Sequence, residues 1–222
     1  MKKSKFIYLK DFQDYPVPEM KQRASDFFNE IKKRRTVRDF SSKSVPHEII
    51  EKCIQAAGTA PNGANKQPWH FVVINNPNVK REIRLAAEKE EREFYDKKAP
   101  EEWLQAIEPF ETTAEKPFLE TAPYLIAIFS QSYEISANGQ KIKNYYVQES
   151  VGIATGILIT ALHLSGLVSL THTPCPMGFL NQILKRPSNE KPFLLLVVGY
   201  PAEKAKVPDI RKKTLQEIST FI

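Results

Sequence analysis

A chain of 222 residues, 41% hydrophobic and 26% charged, has the make-up of one globular domain, long enough for a buried core and short for two. Its net charge of +6 suits a phosphate or another anionic partner, but basic and acidic residues are mixed and no basic run is interleaved with aromatics, which argues against a nucleic-acid module. Two cysteines, Cys53 and Cys175, form no CxxC and no disulfide framework is expected.

Residues 1–17 read as an extended arm. Phe6, Ile7, Tyr8, Phe12 and Tyr15 are scattered among charges and cannot bury themselves, so the arm is expected across a partner subunit or the core. No apolar run follows the basic start, so neither a signal peptide nor a membrane anchor is expected, and the protein should be cytoplasmic. Pro16 and Pro18 open a helix with an apolar face at Met20, Ala24, Phe27, Phe28 and Ile31. A second helix starts near Pro46, buries Ile49, Ile50, Cys53, Ile54 and Ala57, and stops at Gly58. Trp69–Asn75 is a strand. Pro77 opens a third helix, with Val79, Ile83 and Ala86 or Ala87 as its apolar stripe, which turns almost wholly charged from Glu88.

Residues 99–118 are broken by Pro100, Pro109 and Pro117, and the stretch 88–118 is the expected mobile lid. Pro123–Ser130 is a buried strand and Asn138-Gly139 a turn. Residues 143–165 form the longest helix; Lys143, Gln148, Glu149 and His163 interrupt it, and Gly152 with Gly156 makes a smooth stripe, which favours packing against a second copy over a membrane span. Leu167–Thr171 and Phe193–Tyr200 are further strands, and Pro201 starts a basic C-terminal arm. Helices and strands mingle without strict βαβ alternation, so the expectation is one α+β domain over 1–222.

Two stretches carry the chemistry. Arg34-Arg35-Thr36-Val37-Arg38-Asp39-Phe40 holds three forked, permanently charged donors and a hydroxyl, the form suited to phosphate, although a solvated basic helix end has the same composition. One helix further on, Ala60-Pro61-Asn62-Gly63-Ala64-Asn65-Lys66-Gln67-Pro68-Trp69 is a small-residue loop rich in amides, in which Gly63 permits close backbone approach. No GxGxxG or P-loop run is present, and His47, His70, His163 and His172 have no metal-ligand spacing.

With Glu88–Lys98, Lys116–Pro123 and Gly166–Pro174, these two stretches resemble the nitroreductase superfamily of FMN flavoproteins, in its iodotyrosine deiodinase branch. The resemblance runs from about Phe27 to the C-terminus. It implies a mixed, mostly antiparallel sheet flanked by helices, an intertwined homodimer and bound FMN. It implies that Arg34, Arg35, Thr36, Arg38, Asn62, Thr171, His172 and Thr173 contact the cofactor, with a tail cation at the phosphate, Lys212 by register or Arg211 one position off. A Thr173 hydroxyl at flavin N5 would favour one-electron steps. Ala64 would offer its N–H to the substrate phenolate, while Glu91, Tyr95 and Lys116 would clamp an amino-acid zwitterion.

Glu91 and Tyr95 are four apart and share a helical face, though the neighbouring glutamates are interchangeable by composition. The resemblance further implies halotyrosine dehalogenation driven by an external donor, NAD(P)H directly or through a reductase. A general NAD(P)H-dependent nitroreductase or flavin reductase, and a non-catalytic FMN- or tyrosine-binding protein, remain open on sequence.

Overall fold

The computed structural model describes residues 6–110 and 112–222, so residues 1–5 of the expected arm and residue 111 of the expected lid lie outside the described residues. The chain divides into two compact units, residues 1–34 and 35–222. In the first, Pro16 precedes helix α1 (Val17–Ile31) and Pro18 sits in its first turn. The predicted apolar face is there but exposed, with Phe27 and Phe28 at 52% and 62%.

The second unit runs α2 (His47–Ala57), β1 (Trp69–Ile74), α3 (Pro77–Lys97), α4 (Glu101–Ile107), α5 (Phe118–Thr121), β2 (Tyr124–Gln131), β3 (Tyr133–Ile135), β4 (Lys141–Lys143), α6 (Val147–Leu164), β5 (Val168–His172), α7 (Phe179–Ile183), β6 (Glu190–Gly199) and α8 (Leu215–Ile218). The main sheet has the order β1-β2-β6-β5, and every neighbouring pair is antiparallel. Among the described residues the one parallel pairing is a bridge between Thr36 and Ser169. The expected turn at Asn138-Gly139 closes the small hairpin of β3 and β4, with Gly139 at φ +80°.

The core follows from strand alternation. On β2, Tyr124, Ile126 and Ile128 face one way and join Ile50, Cys53 and Ala57 of α2 and Val151, Leu158 and Leu162 of α6. Leu125, Ala127 and Phe129 face the other way and join Ile83 and Ala87 of α3, Leu119 of α5 and Leu180 of α7. The central strands are buried on both faces, which is why β2 and β6 read as continuous apolar runs. Cys53 is buried, as its helical position predicts, and Cys175 is exposed.

α6 is long and apolar enough to cross a membrane by length and composition, with a mean hydropathy of 1.3. Its buried face is spent on α2 and the sheet, through Val151, Ala154, Leu158 and Leu162 at 0% exposure. On the other side, a Cβ added at Gly152 or Gly156 meets nothing within 4 Å, and Ile153 is 45% exposed.

Gly199 shows how tightly β6 ends. A Cβ there falls 2.5 Å from Cδ and 3.0 Å from Cγ of Pro123, a rigid ring just ahead of β2. Gly199→Ala should therefore lower stability by roughly 1–3 kcal/mol in urea denaturation, the range for forcing atoms into a packed core; an unchanged midpoint would contradict this packing.

Candidate active site

The site is built where an arm of chain meets the edge of the sheet. Val37 and Phe40 are 5% and 4% exposed and anchor the arm. The Val37 N–H donates to the Ser169 carbonyl at 3.3 Å, and the Ser41 N–H to the Tyr200 carbonyl at 2.9 Å. With Thr36 paired to Ser169 in parallel, the arm carries Arg38 alongside the end of β5, where Thr171, His172 and Thr173 follow one another. Arg35 donates to the Pro208 carbonyl and so ties the C-terminal arm to the same place.

Arg38 lines three neighbouring cavities, two of which carry the candidate site residues. One, of about 370 Å³, is bordered by Thr36, Phe110, Lys206 and Pro208. The other, of about 190 Å³, is bordered by Glu91, Tyr95, Trp103, Lys116 and the run Thr171–Thr173. Arg38 is half-buried, and burial pushes its guanidinium down from its ordinary value, though guanidinium stays charged in proteins. Its charge sits 5.5 Å from the ring centre of Phe110.

Glu91 and Tyr95 share a helical face, as their spacing predicts, and Lys116 joins them from the segment that returns beside α3. The Lys116 side chain is 5% exposed, with Nζ 3.3 Å from Oε2 of Glu91. Nζ also donates to Thr112 Oγ1 at 3.2 Å and to the Thr113 carbonyl. The Tyr95 hydroxyl meets Thr112 Oγ1 at 3.3 Å. Burial pushes the Lys116 ammonium down from its ordinary value and the Glu91 carboxylate opposes it. Burial likewise pushes the Tyr95 phenol up. Trp103 of α4 caps the group edge-on, 5.4 Å from the Tyr95 ring and 4.9 Å from Phe94.

His172 is 7% exposed, and its Nε2 is buried with no hydrogen-bond partner. Phe118 stands edge-on to its ring at 5.8 Å. Burial pushes the imidazole down to about 3, and the charge of Lys116 adds to the effect, so the ring is neutral at neutral pH.

An anionic ligand with hydrogen-bonding groups fits this lining. Thr36, Arg38 and Lys206 supply a hydroxyl and two cations, and the unpartnered Nε2 of His172 is the kind of buried group that a polar ligand satisfies. Lys206 was not singled out in the sequence; one lysine in a basic tail carries no signal of its own. Arg34 lies in the first unit. Lys212 is exposed and lines neither cavity, while Arg211 is committed to Glu217 through two bonds of 2.8 Å.

Asn62 and Ala64 also line neither cavity. The Asn62 amide staples its own loop, donating to the Ala60 carbonyl at 3.0 Å and accepting the Gln67 N–H at 2.7 Å. The close approach that Gly63 permits is to the chain at 145–146: a Cβ there would lie 2.9 Å from Tyr146 Cδ2. Ala64, Asn65 and Gln67 all have positive φ, 52°, 51° and 47°, a strained conformation for residues with a Cβ that is concentrated at functional loops.

An α+β sheet edge carrying a basic arm, a hydroxyl-rich strand end and a capped ion pair defines a class of cofactor-binding protein, and the family comparison agrees. The chain belongs to the nitroreductase family, whose model matches residues 31–200. Within it, the chain is similar to iodotyrosine deiodinases. It is 54% identical to iodotyrosine deiodinase of Haliscomenobacter hydrossis over 88% of this chain and 88% of that protein. It is 45% identical to iodotyrosine deiodinase 1 of Homo sapiens over 94% of this chain and 72% of that protein. The crystal structure of an oxidised iodotyrosine deiodinase bound to FMN and 3-iodo-L-tyrosine matches with a TM-score of 0.74 and 32% identity, over 88% of this chain and all of that one.

The buried imidazole gives a pH test. Between its folded value of about 3 and its ordinary 6.5, the unfolded chain holds a proton that the folded chain does not, so stability falls as pH drops through that window. Urea denaturation of the cofactor-free protein at pH 7 and pH 5 should show wild type losing roughly 2 kcal/mol more than His172→Gln; equal losses would mean that the ring is not held neutral by burial.

Proposed function

We propose that this chain is an FMN-dependent reductive dehalogenase of halotyrosines, converting 3-iodo-L-tyrosine to L-tyrosine and iodide. The observation that carries the reading is the Lys116–Glu91 pair, 3.3 Å apart, in a cavity that also takes in Arg38 and Thr171–Thr173. A buried ammonium and a half-buried carboxylate are the complement of an amino-acid zwitterion, and the similarity to iodotyrosine deiodinases supports the same ligand.

In this reading the substrate's carboxylate goes to Lys116 and its ammonium to Glu91, with a further bond to Tyr95. The three side chains lose their bonds to one another and gain equivalent ones to the ligand. Trp103 and α4 cover the ligand and exclude water, which strengthens those charges. Arg35, Thr36 and Arg38, with Thr171, His172 and Thr173, hold the cofactor, and the tail cations Lys206 and Lys212 serve its phosphate. Bound FMN supplies the two electrons which, with one proton, replace the carbon–iodine bond by carbon–hydrogen. The Thr173 hydroxyl provides a hydrogen bond at the reacting edge of the ring.

The working unit is a homodimer. Asn62 and Ala64, which line neither cavity of their own chain, serve the partner's site, with the Ala64 N–H at the substrate phenolate. The open glycine side of α6 is the matching contact. Electrons come from an external donor, NAD(P)H directly or through a reductase, in the cytoplasm.

The purified protein should be yellow and hold about one FMN per chain. Reduced anaerobically, it should be reoxidised by an equal amount of 3-iodo-L-tyrosine with release of iodide; no reoxidation removes the reading. Lys116→Met should weaken halotyrosine binding about tenfold or more, the scale of one lost charge-assisted bond, as read by quenching of flavin fluorescence.

A further inference from the structure

The clamp is the upper end of a longer construction. Lys80, Arg84, Glu88, Glu91 and Tyr95 lie at spacings of four, four, three and four along α3, on one helical face. Each reaches the segment 112–122, which runs back along the helix. Lys80 Nζ donates to the carbonyls of Glu120 and Ala122 at 2.8 and 2.7 Å. Arg84 donates to the Glu120 carboxylate at 3.3 Å. Glu88 Oε1 accepts the Lys116 backbone N–H at 2.7 Å. Above them come the Glu91–Lys116 pair and the Tyr95–Thr112 bond.

The rungs differ in kind. Glu91 and Tyr95 hold side chains, which a ligand can take over. Glu88 holds backbone, and no small ligand displaces it. Its side chain is 7% exposed, Arg84 Nε donates to the same Oε1 at 2.7 Å, and Arg92 stands 3.8 Å from Oε2. Burial pushes this carboxyl up, but the Arg84 bond, the Lys116 N–H and the charges of Arg84 and Arg92 outweigh burial and hold it below the usual carboxylate range.

We propose that Glu88 is a positioning residue for zwitterion recognition: by fixing the Lys116 backbone against α3, it keeps the ammonium beside Glu91, where one amino acid can take over both partners. Glu88 does not touch the ligand. The inference rests on the halotyrosine reading above.

Its test compares two ligands on the FMN-loaded protein, followed by flavin fluorescence: 3-iodo-L-tyrosine, which needs the clamp, and 2-iodophenol, which has no zwitterion. Glu88→Ala should weaken iodotyrosine about tenfold and 2-iodophenol less than about twofold. Glu88→Gln, which keeps an acceptor for the Lys116 N–H, should recover most of the loss. A merely structural role gives equal losses for both ligands and no rescue by Gln, and that result overturns the proposal, as does wild-type affinity in Glu88→Ala. Where the Ala variant does not fold, Glu88→Asp, which retains the charge but draws the acceptor back by one methylene, is read by the same ratio, and an unchanged ratio is a refutation. Wild-type protein that takes up FMN but shows no affinity for iodotyrosine removes the substrate reading, and this inference with it; wild-type binding with an indifferent Glu88 removes the inference alone.

Discussion

An ammonium ion placed inside a protein has to be answered by an anion and by oxygen acceptors, and Lys116 is the group on which that requirement falls here. Its side chain is 5% exposed, beyond the reach of bulk water as a substitute partner. The answer comes from one face of α3. Glu91 supplies the counter-charge, Thr112 and Thr113 supply acceptors, and Glu88 fixes the backbone from which the side chain departs. Removing one member of such a set leaves an uncompensated charge, at a cost of about 3–5 kcal/mol in buried pairs. One face of the charged stretch from Glu88 is therefore matched to the segment that returns beside it.

The same sheet that buries the core also aims the site. β5 sits at the sheet edge beside β6, so its free side is open to the arm at Val37. Pairing there is parallel and brief, a single bridge, yet it carries Arg38 toward Thr171–Thr173. The opposite face of the sheet is closed by α2 and α6. Chemistry is thus confined to one corner, where the arm, the end of β5 and the top of α3 converge.

What the sequence made legible follows from what leaves a periodic trace. α2, α6, β2 and β6 are long and either amphipathic or continuously apolar, β1 is a short apolar run, and each is found within a few residues of its expected bounds. α4, α7, α8, β3 and β4 were missed because each is short and mixes polar with apolar residues, without the continuous apolar run that marks β1. Among the candidate site residues, Glu91 and Tyr95 were marked by spacing and resemblance together, and Lys116 by resemblance alone. Glu88 was not, because four glutamates in one charged stretch are equivalent until the returning chain chooses one. Asn62 and Gly63 show a different limit: an amide or a glycine suits a ligand, but it suits a loop staple or a close packing contact equally well, and here these residues make both of the latter.

A binding site that stores its own ion pair imposes a condition on what enters. A ligand with only a carboxylate satisfies Lys116 and strands Glu91; one with only an ammonium does the reverse. Each would trade a satisfied pair for a buried, unanswered charge. A zwitterion replaces both partners at once and leaves every charge answered, so its entry is close to an exchange of like bonds. The discrimination resides mainly in the loss that incomplete ligands suffer and less in any strength of the final contacts. That logic holds only while both charges stay within reach of one ligand, which is why a carboxylate that holds the Lys116 backbone and does not face the cavity belongs to the recognition apparatus as much as the side chains that do.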